Sequence, residues 1–299
     1  MTDTHAENQL DSNPLAGARL AFVGCGVMAE AMIAGVLKKG LVAPAQIAGS
    51  HPRAARREEL AGRYGIEMVE GNREAVELVQ QVEGSAGEYD GGGSIVVLAV
   101  KPQRLGGVLH ELKDVVQPNQ LVVSIIAGAR IETMAGELLH PAIVRTMPNT
   151  PAQIGEGMTV WTATPQVSEE QERQVRALLG ALGRELRVEE ERWIDMATAL
   201  SATGPTYFFL VMEALTDAGV HMGFSRHVAQ ELVLQTMLGS VLFARETHKH
   251  PAELRNMVTS PGGTSAEAIY QMEKGGLRTV LSKAVYAAYQ RAVALGQKK

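Results

Sequence analysis

The chain has 299 residues, 45% hydrophobic and 20% charged, with a formal net charge of −5; this supports a substantial core and two domains. There is no long basic block and aromatics make up only 4%, which argues against nucleic-acid partners. The single cysteine, Cys25, excludes an intrachain disulfide framework and a cysteine zinc cluster and fits a reducing, cytoplasmic compartment.

The polar opening, Met1–Gly17, has no basic segment leading into an apolar core, so it reads as a disordered tail and not as a secretory signal. Arg19–Val23 is a short apolar strand, followed at once by a helix from about Met28 to Lys39 that Gly40 closes. Gln46–Gly49 is a weaker strand running into Ser50, His51, Pro52 and Arg53. A helix rich in Ala, Arg and Glu comes next, then another from about Arg73. Gly84–Ser94 is glycine-rich and acidic, the composition of a solvated insertion. Further strands are predicted at SIVVLAV, LVVSIIAG and AIVRTM. This alternation predicts an α/β domain over residues 18–190, built on a Rossmann-type doubly wound parallel sheet. The apolar runs are strand-length and too short to cross a bilayer, so no membrane association is expected.

From Arg192 onward the strand-like runs stop, which predicts an all-helical domain over residues 191–299. One helix is expected from Trp193 to Met222, bent near Gly204–Pro205, and another from Arg226 to Thr247. In the last helix Leu277, Val280, Leu281, Ala284, Val285, Ala288 and Ala292 share a face. TYFFLVMEAL and ELVLQTMLGSVLF are apolar around much of the helix circumference, more than one copy can bury, so an intertwined homodimer is expected. Trp193 and Met196 read as core. His248 and His250 flank Lys249 without an acidic or cysteine neighbour, and no metal site is expected.

Gly24, Gly26 and Ala29 form G-x-G-x-x-A between the first strand and its helix, the pattern that brings backbone close to a pyrophosphate at a helix N-terminus. Cys25 reads as a small filler of that loop. The end of the second strand offers no acid for a ribose, and Ser50 with Arg53 suits a 2′-phosphate, which favours NADPH over NADH. Arg56 and Arg57 read as a solvated helix face. VKPQ (Val100–Gln103), SIIAG (Ser124–Gly128) and RTMPNTP (Arg145–Pro151) follow strands, where ligands gather in an open parallel sheet. In VTSPGGTSAEAI (Val258–Ile269), Pro261, Gly262 and Gly263 make a turn and Thr264 to Glu267 reads as a capping box. A helix N-terminus with two hydroxyls suits a small carboxylate.

Together GCGVMA, LAVKPQ, SIIAG, RTMPNTP, SATGPTYFF, EALTDAGV–MGFSR and HPAELRNMVTSPGGTSAEAI resemble the pyrroline-5-carboxylate reductase family, from about Leu20 to Ala294. The resemblance implies a Rossmann domain followed by a helical dimerisation domain, with the homodimer, or a pentamer of dimers, as the assembly. It implies hydride transfer from NADPH, or NADH, to the C=N carbon of Δ1-pyrroline-5-carboxylate, giving L-proline. Gly24, Gly26, Val27, Met28 and Ala29 would then line the pyrophosphate, Ser50 and Arg53 would meet the adenosine phosphate, and Asn72 would contact the adenosine ribose region. Ala99, Lys101 and Pro102 would flank the nicotinamide, with Ala127, Gly128, Met147, Pro148 and Asn149 near by. Ser260, Gly263 and Thr264 would hold the substrate carboxylate, and the hydroxyl of Ser265, the expected catalytic group, would bond the ring nitrogen.

The chain departs from the family pattern at Val27 (usually Asn), at SATGPTY (usually SGSGPAY), at Asn256 (usually Asp) and at Ser265 (usually Thr). Two other readings are a related reductase acting on another cyclic imine or a hydroxy acid, and a catalytically silent dinucleotide sensor. A hydroxy-acid reductase of this architecture would need a lysine on the first helix of its second domain, and none occurs between Lys113 and Lys249.

Overall fold

The structure is a computed structural model describing residues 13–80 and 93–297. Residues 1–12 of the expected tail and 84–92 of the expected insertion lie outside the described residues. The remainder of the expected tail is packed, not free. Asn13 Nδ2 donates to the Leu41 carbonyl at 2.7 Å and Leu15 is fully buried, a burial that contributes about 1.5–3 kcal/mol.

Two compact units form: residues up to Ala202 together with those from Tyr289 onward, and Thr203–Ala288. The division falls after Ala202, later than the expected Glu190. The first unit carries the strands β1 (Arg19–Val23), β2 (Ile47–Ser50), β3 (Glu67–Val69), β4 (Ser94–Leu98), β5 (Leu121–Ser124), β6 (Ile143–Met147), β7 (Gly157–Ala163) and β8 (Gly183–Arg187). Its helices are α1 (Val27–Lys38), α2 (Ala54–Tyr64), α3 (Asn72–Gln80), α4 (Leu105–Leu112), α5 (Ile131–Leu138), α6 (Glu169–Gly180) and α7 (Arg192–Ala197).

The sheet order is β3-β2-β1-β4-β5-β6-β7-β8. The chain reverses direction of travel across the sheet between β1 and β4, which opens a ligand crevice beyond their carboxyl ends. Strand residues alternate between two cores. Leu20, Phe22, Ile95, Val97 and Val123 pack with Met32, Ile33 and Leu178 on one face. Ala21, Val23, Val96, Leu98 and Val122 pack with Val76, Leu109 and Met134 on the other. Burial on both faces is why the central strands read as unbroken apolar runs.

β7 and β8 were not foreseen. β7 runs antiparallel to β6, because the connection from Met147 to Gly157 is a single 3-10 turn, too short for a parallel crossover. Trp161 anchors this edge: it is fully buried, its indole N–H donates to Glu185, and Arg176 and Arg187 lie 5.1 and 5.5 Å from its ring.

The expected bend near Gly204 is a π-helical turn, Thr198–Ala202, between α7 and the next helix. Trp193 and Met196, expected in the core, are exposed in the single chain (43% and 52%). The helices that follow are α8 (Gly204–His221), α9 (Arg226–Thr247), α10 (Pro251–Met257), α11 (Thr264–Lys274) and α12 (Leu277–Gln297), the last ending in the first unit. α8 and α9 meet where a Cβ on Gly219 would stand 2.9 Å from Ala229 Cβ. Their large apolar residues stay uncovered in one chain: Phe209 is 60%, Leu210 65% and Val241 60% exposed. Among the described residues, no helix is long and apolar enough to cross a membrane.

Candidate active site

β1 ends at Val23 and the chain turns through Gly24, whose φ is +90°. A Cβ there would lie 2.7 Å from Val100 Cγ1 and 3.2 Å from the Ala99 carbonyl. Backbone angle and neighbouring strand therefore both require glycine. Gly26 begins α1 with extended backbone and no side-chain cap, and open space surrounds the place its Cβ would take. Uncapped first-turn amides beside such space form an anion site. Val27 is exposed, Met28 half-buried and Ala29 buried beneath the turn. Cys25 is the expected filler: burial pushes its thiol up to about 12, against the lowering charge of Arg56.

Ser50 departs from its expected place. It is fully buried, its Oγ accepts from the Gly24 amide at 3.0 Å, and it donates to Asn72 Oδ1 at 2.7 Å. No atom of Ser50 is left at the surface for a phosphate. Asn72 in turn donates to Glu111 Oε2 at 2.8 Å.

The arginines also sort differently from a solvated face. Arg56 is largely buried and pairs with Glu30 at 2.5 Å and Glu59 at 2.9 Å. Arg57 donates to the carbonyls of His51 and Pro52 at 2.8 and 3.1 Å and pairs with Glu70. Glu30 also receives Arg63 at 2.5 Å and the Tyr64 hydroxyl at 3.0 Å. Burial pushes the Glu30 carboxyl up, but hydrogen bonds from Arg56 and Tyr64 and the charges of Arg56 and Arg63 prevail, holding it below its ordinary value. Arg53 differs: its backbone starts α2, and its guanidinium forms no ion pair among the described residues. His51 beside it accepts from the Arg53 amide at 3.2 Å, and burial, together with the charges of Arg53, Arg56 and Arg57, keeps its imidazole neutral to lower pH than usual.

The loops after β4, β5 and β6 divide into open and fastened residues. Lys101 and Pro102 are exposed at the start of a 3-10 turn, with Ala99 half-buried. Ala127 and Gly128 are half-buried; Gly128 has φ +77°, and a Cβ on it would come within 3.0 Å of Leu295 near the end of α12. Met147 is half-buried and Pro148 buried. Asn149 accepts from the Met158 amide at 2.8 Å and donates to the Ser201 carbonyl at 3.3 Å. Its side chain thus ties the start of β7 to the π turn, where a cofactor contact was expected. Arg145, buried on β6, pairs with Glu191 and Asp195 of the α7 region at 2.8 and 2.5 Å.

In the second unit the Val258–Ile269 stretch forms a turn and the start of α11, but not a capping box. The N-cap position of α11 is held by Gly263, not Thr264, and no side chain caps the helix. A Cβ on Gly263 would lie 2.5 Å from Ser260 Oγ, so glycine alone lets that hydroxyl approach. Thr264 already has helical geometry, which removes it from the extended conformation a cap needs. Glu267 accepts from Gln271 at 3.0 Å along the helix and does not reach back. Gly262, at φ +70°, closes the turn, and Thr259 is held by its hydroxyl on the Arg255 carbonyl at 2.6 Å. The helix start is therefore uncapped, with Ser260, Thr264 and Ser265 around it. Further back, His250 caps α10, accepting from the Ala252 amide at 3.2 Å.

Three kinds of comparison bear on this arrangement. A family profile described as "Pyrroline-5-carboxylate reductase dimerisation" matches residues 191–295, and one described as "NADP oxidoreductase coenzyme F420-dependent" matches residues 19–128. A pyrroline-5-carboxylate reductase of Pseudomonas aeruginosa is 41% identical over 280 residues, covering 93% of this chain and 97% of its own. The chain belongs to the pyrroline-5-carboxylate reductase family. A Synechocystis reductase of the same name is 38% identical over 94% of this chain and 99% of its own. Among solved structures, the Plasmodium falciparum pyrroline carboxylate reductase with NADP bound has a TM-score of 0.81 and 29% identity, covering 93% of this chain and 98% of its own. The pyrroline-5-carboxylate reductase of Coxiella burnetii has a TM-score of 0.81 and 32% identity, with coverages of 95% and 100%.

Within this family framework, sequence reasoning missed Glu111 and Glu30. Both are acids on helices whose partners lie 39 and 26 residues away, and no local pattern announces such pairs. The missing acid after β2 was the usable signal for Arg53, whose guanidinium forms no ion pair among the described residues.

Proposed function

We propose that the chain reduces Δ1-pyrroline-5-carboxylate to L-proline with NADPH. The observation that carries this reading is the uncapped start of α11, with Ser260 brought over Gly263, in a member of this reductase family. The dinucleotide loop fits the cofactor: Gly26 has open space beside it at the start of α1, and the Arg53 guanidinium forms no ion pair among the described residues. NADPH, when bound, supplies the hydride that reaches the C=N carbon.

The chain's own residues bind and orient. The first amides of α1, from Val27 through Ala29, hold the pyrophosphate beside the turn made by Gly24 and Gly26, and Arg53 takes the 2′-phosphate, which favours NADPH over NADH. Ser50 and Asn72 act from beneath by holding the loop, while Asn72 borders the ribose. Ala99, Lys101, Pro102, Ala127, Gly128, Met147 and Pro148 form the walls around the nicotinamide, and Asn149 keeps its loop in place. Ser260 Oγ and the Thr264 amide take the substrate carboxylate, on the turn that Gly263 closes with its own amide on the Ser260 carbonyl at 3.0 Å. Ser265 Oγ bonds the ring nitrogen and helps deliver its proton. A protonated imine is already electrophilic, so alignment supplies most of the acceleration and no strong acid or base is required.

We further propose a cytoplasmic homodimer formed through the helical unit. The exposed apolar residues of α8 and α9 support it, since a monomer would leave that surface in water. Purified chain mixed with pyrroline-5-carboxylate and NADPH should consume the absorbance of the reduced cofactor and yield proline. NADPH binding with no turnover would instead favour the silent sensor. Light scattering separates a dimer from a pentamer of dimers.

A further inference from the structure

We infer that Glu111, on α4 and outside the proposed ligand contacts, is a positioning residue that sets the direction of the hydrogen-bond chain holding the dinucleotide loop. The inference rests on reading that loop as the NADPH site. Four groups are in line: the Gly24 amide donates to Ser50 Oγ at 3.0 Å, Ser50 donates to Asn72 Oδ1 at 2.7 Å, and Asn72 Nδ2 donates to Glu111 Oε2 at 2.8 Å. An amide side chain can present either its oxygen or its nitrogen to Ser50, and a serine hydroxyl can donate or accept. An ionised carboxylate only accepts. With Glu111 at one end, Asn72 must turn its NH₂ toward α4 and its oxygen toward Ser50. Ser50 must then donate to Asn72, and its lone pairs are kept for the Gly24 amide. Each step leaves one orientation.

The location gives this consequence. Gly24 sits at φ +90° against Ala99 and Val100, a conformation with little intrinsic preference to hold it in place. Ser50 is fully buried, so water cannot replace a lost partner without entering the core. Glu111 is itself braced, since Arg73 of α3 donates to its main-chain carbonyl at 3.0 Å. Without the carboxylate, two orientations of Asn72 become available and the loop samples more than one arrangement.

Four variants separate positioning from general stability: Glu111→Ala, Glu111→Gln, Asn72→Asp and the double Asn72→Asp/Glu111→Gln. NADPH affinity is measured by cofactor fluorescence without substrate, melting by circular dichroism, and KM for NADPH against kcat by steady state. Glu111→Ala should weaken NADPH by about five- to tenfold, with kcat held within about twofold. Glu111→Gln offers Asn72 either a carbonyl oxygen or an NH₂, so both orientations stay available and it should recover only part of the affinity. Asn72→Asp sets two carboxylates against each other at the 2.8 Å contact and should weaken NADPH by more than about tenfold. Adding Glu111→Gln supplies an N–H for that aspartate, so the double variant should bind better than Asn72→Asp alone. If the double variant binds no better than that single one, or if Glu111→Ala binds as wild type does, the inference is wrong. Should Glu111→Ala not fold, the Asn72→Asp pair decides alone. Failure of the wild type to bind NADPH would instead overturn the reading of the loop.

Discussion

Gly263→Ala tests the carboxylate cradle directly. The added Cβ would stand 2.5 Å from Ser260 Oγ and 3.2 Å from the Ser260 carbonyl oxygen. Gly263 has φ −81° and ψ 166°, which alanine adopts without strain, so the backbone has no reason to move far. The hydroxyl can rotate away at little cost, and with it goes its hydrogen bond to the bound carboxylate. A hydrogen bond to a charged group contributes about 1.5–3 kcal/mol, which is about tenfold to about 150-fold in affinity. The KM for pyrroline-5-carboxylate should rise within that range. NADPH affinity and the melting temperature should barely change, because the turn is at the surface and the cofactor loop lies in the other unit. Steady-state kinetics with either substrate varied, beside a thermal melt, gives all three numbers. An unchanged KM for the imine would mean that the carboxylate binds elsewhere.

Ser265→Ala should lower kcat far more than it weakens NADPH binding, measured by comparing turnover with fluorescence titration; equal activity would leave that hydroxyl without a chemical part. Arg53→Ala should weaken NADPH by about tenfold or more and leave NADH unaffected, so a parallel loss for both cofactors would contradict its assignment to the 2′-phosphate. Glu30 should contribute stability that depends on pH. Its folded value lies below the ordinary 4.5, so the contribution is complete above about that pH and is lost as pH falls through the folded value. Glu30→Gln should therefore lower the melting temperature near neutrality and converge on wild type in acid, and a gap that stays constant down to acid pH would refute this. Val241→Glu, at a position 60% exposed in one chain, should dissociate the assembly in light scattering, and an unchanged mass would remove the apolar face of α9 from the interface.

The sequence by itself determined the parts whose signals are local. Strand-length apolar runs alternating with helices specified the parallel sheet, since burial on both faces demands unbroken apolar strands. Gly24, Gly26 and Ala29 marked the turn from β1 into α1, where Gly24 takes a φ of +90° against Ala99 and Val100. The wide apolar stripes of α8 and α9 announced a missing cover. RTMPNTP and TSPGGTS were specific enough to carry the family.

Tertiary structure decided what depends on neighbours distant in the chain. Ser50 looked like a phosphate ligand by position, yet the Gly24 amide and Asn72 enclose it. Thr264 looked like a cap by spacing, yet the approach of Ser260 gives that place to Gly263 and leaves the helix start free. β7 had no signal for its direction until the length of its connection to β6 imposed one. Arg56 and Arg53 are three residues apart and chemically alike, and the positions of Glu30 and Glu59 separate a structural arginine from an available one. In each case a side chain's role depends on which donors and acceptors remain unpaired after folding, and contacts across the fold determine that.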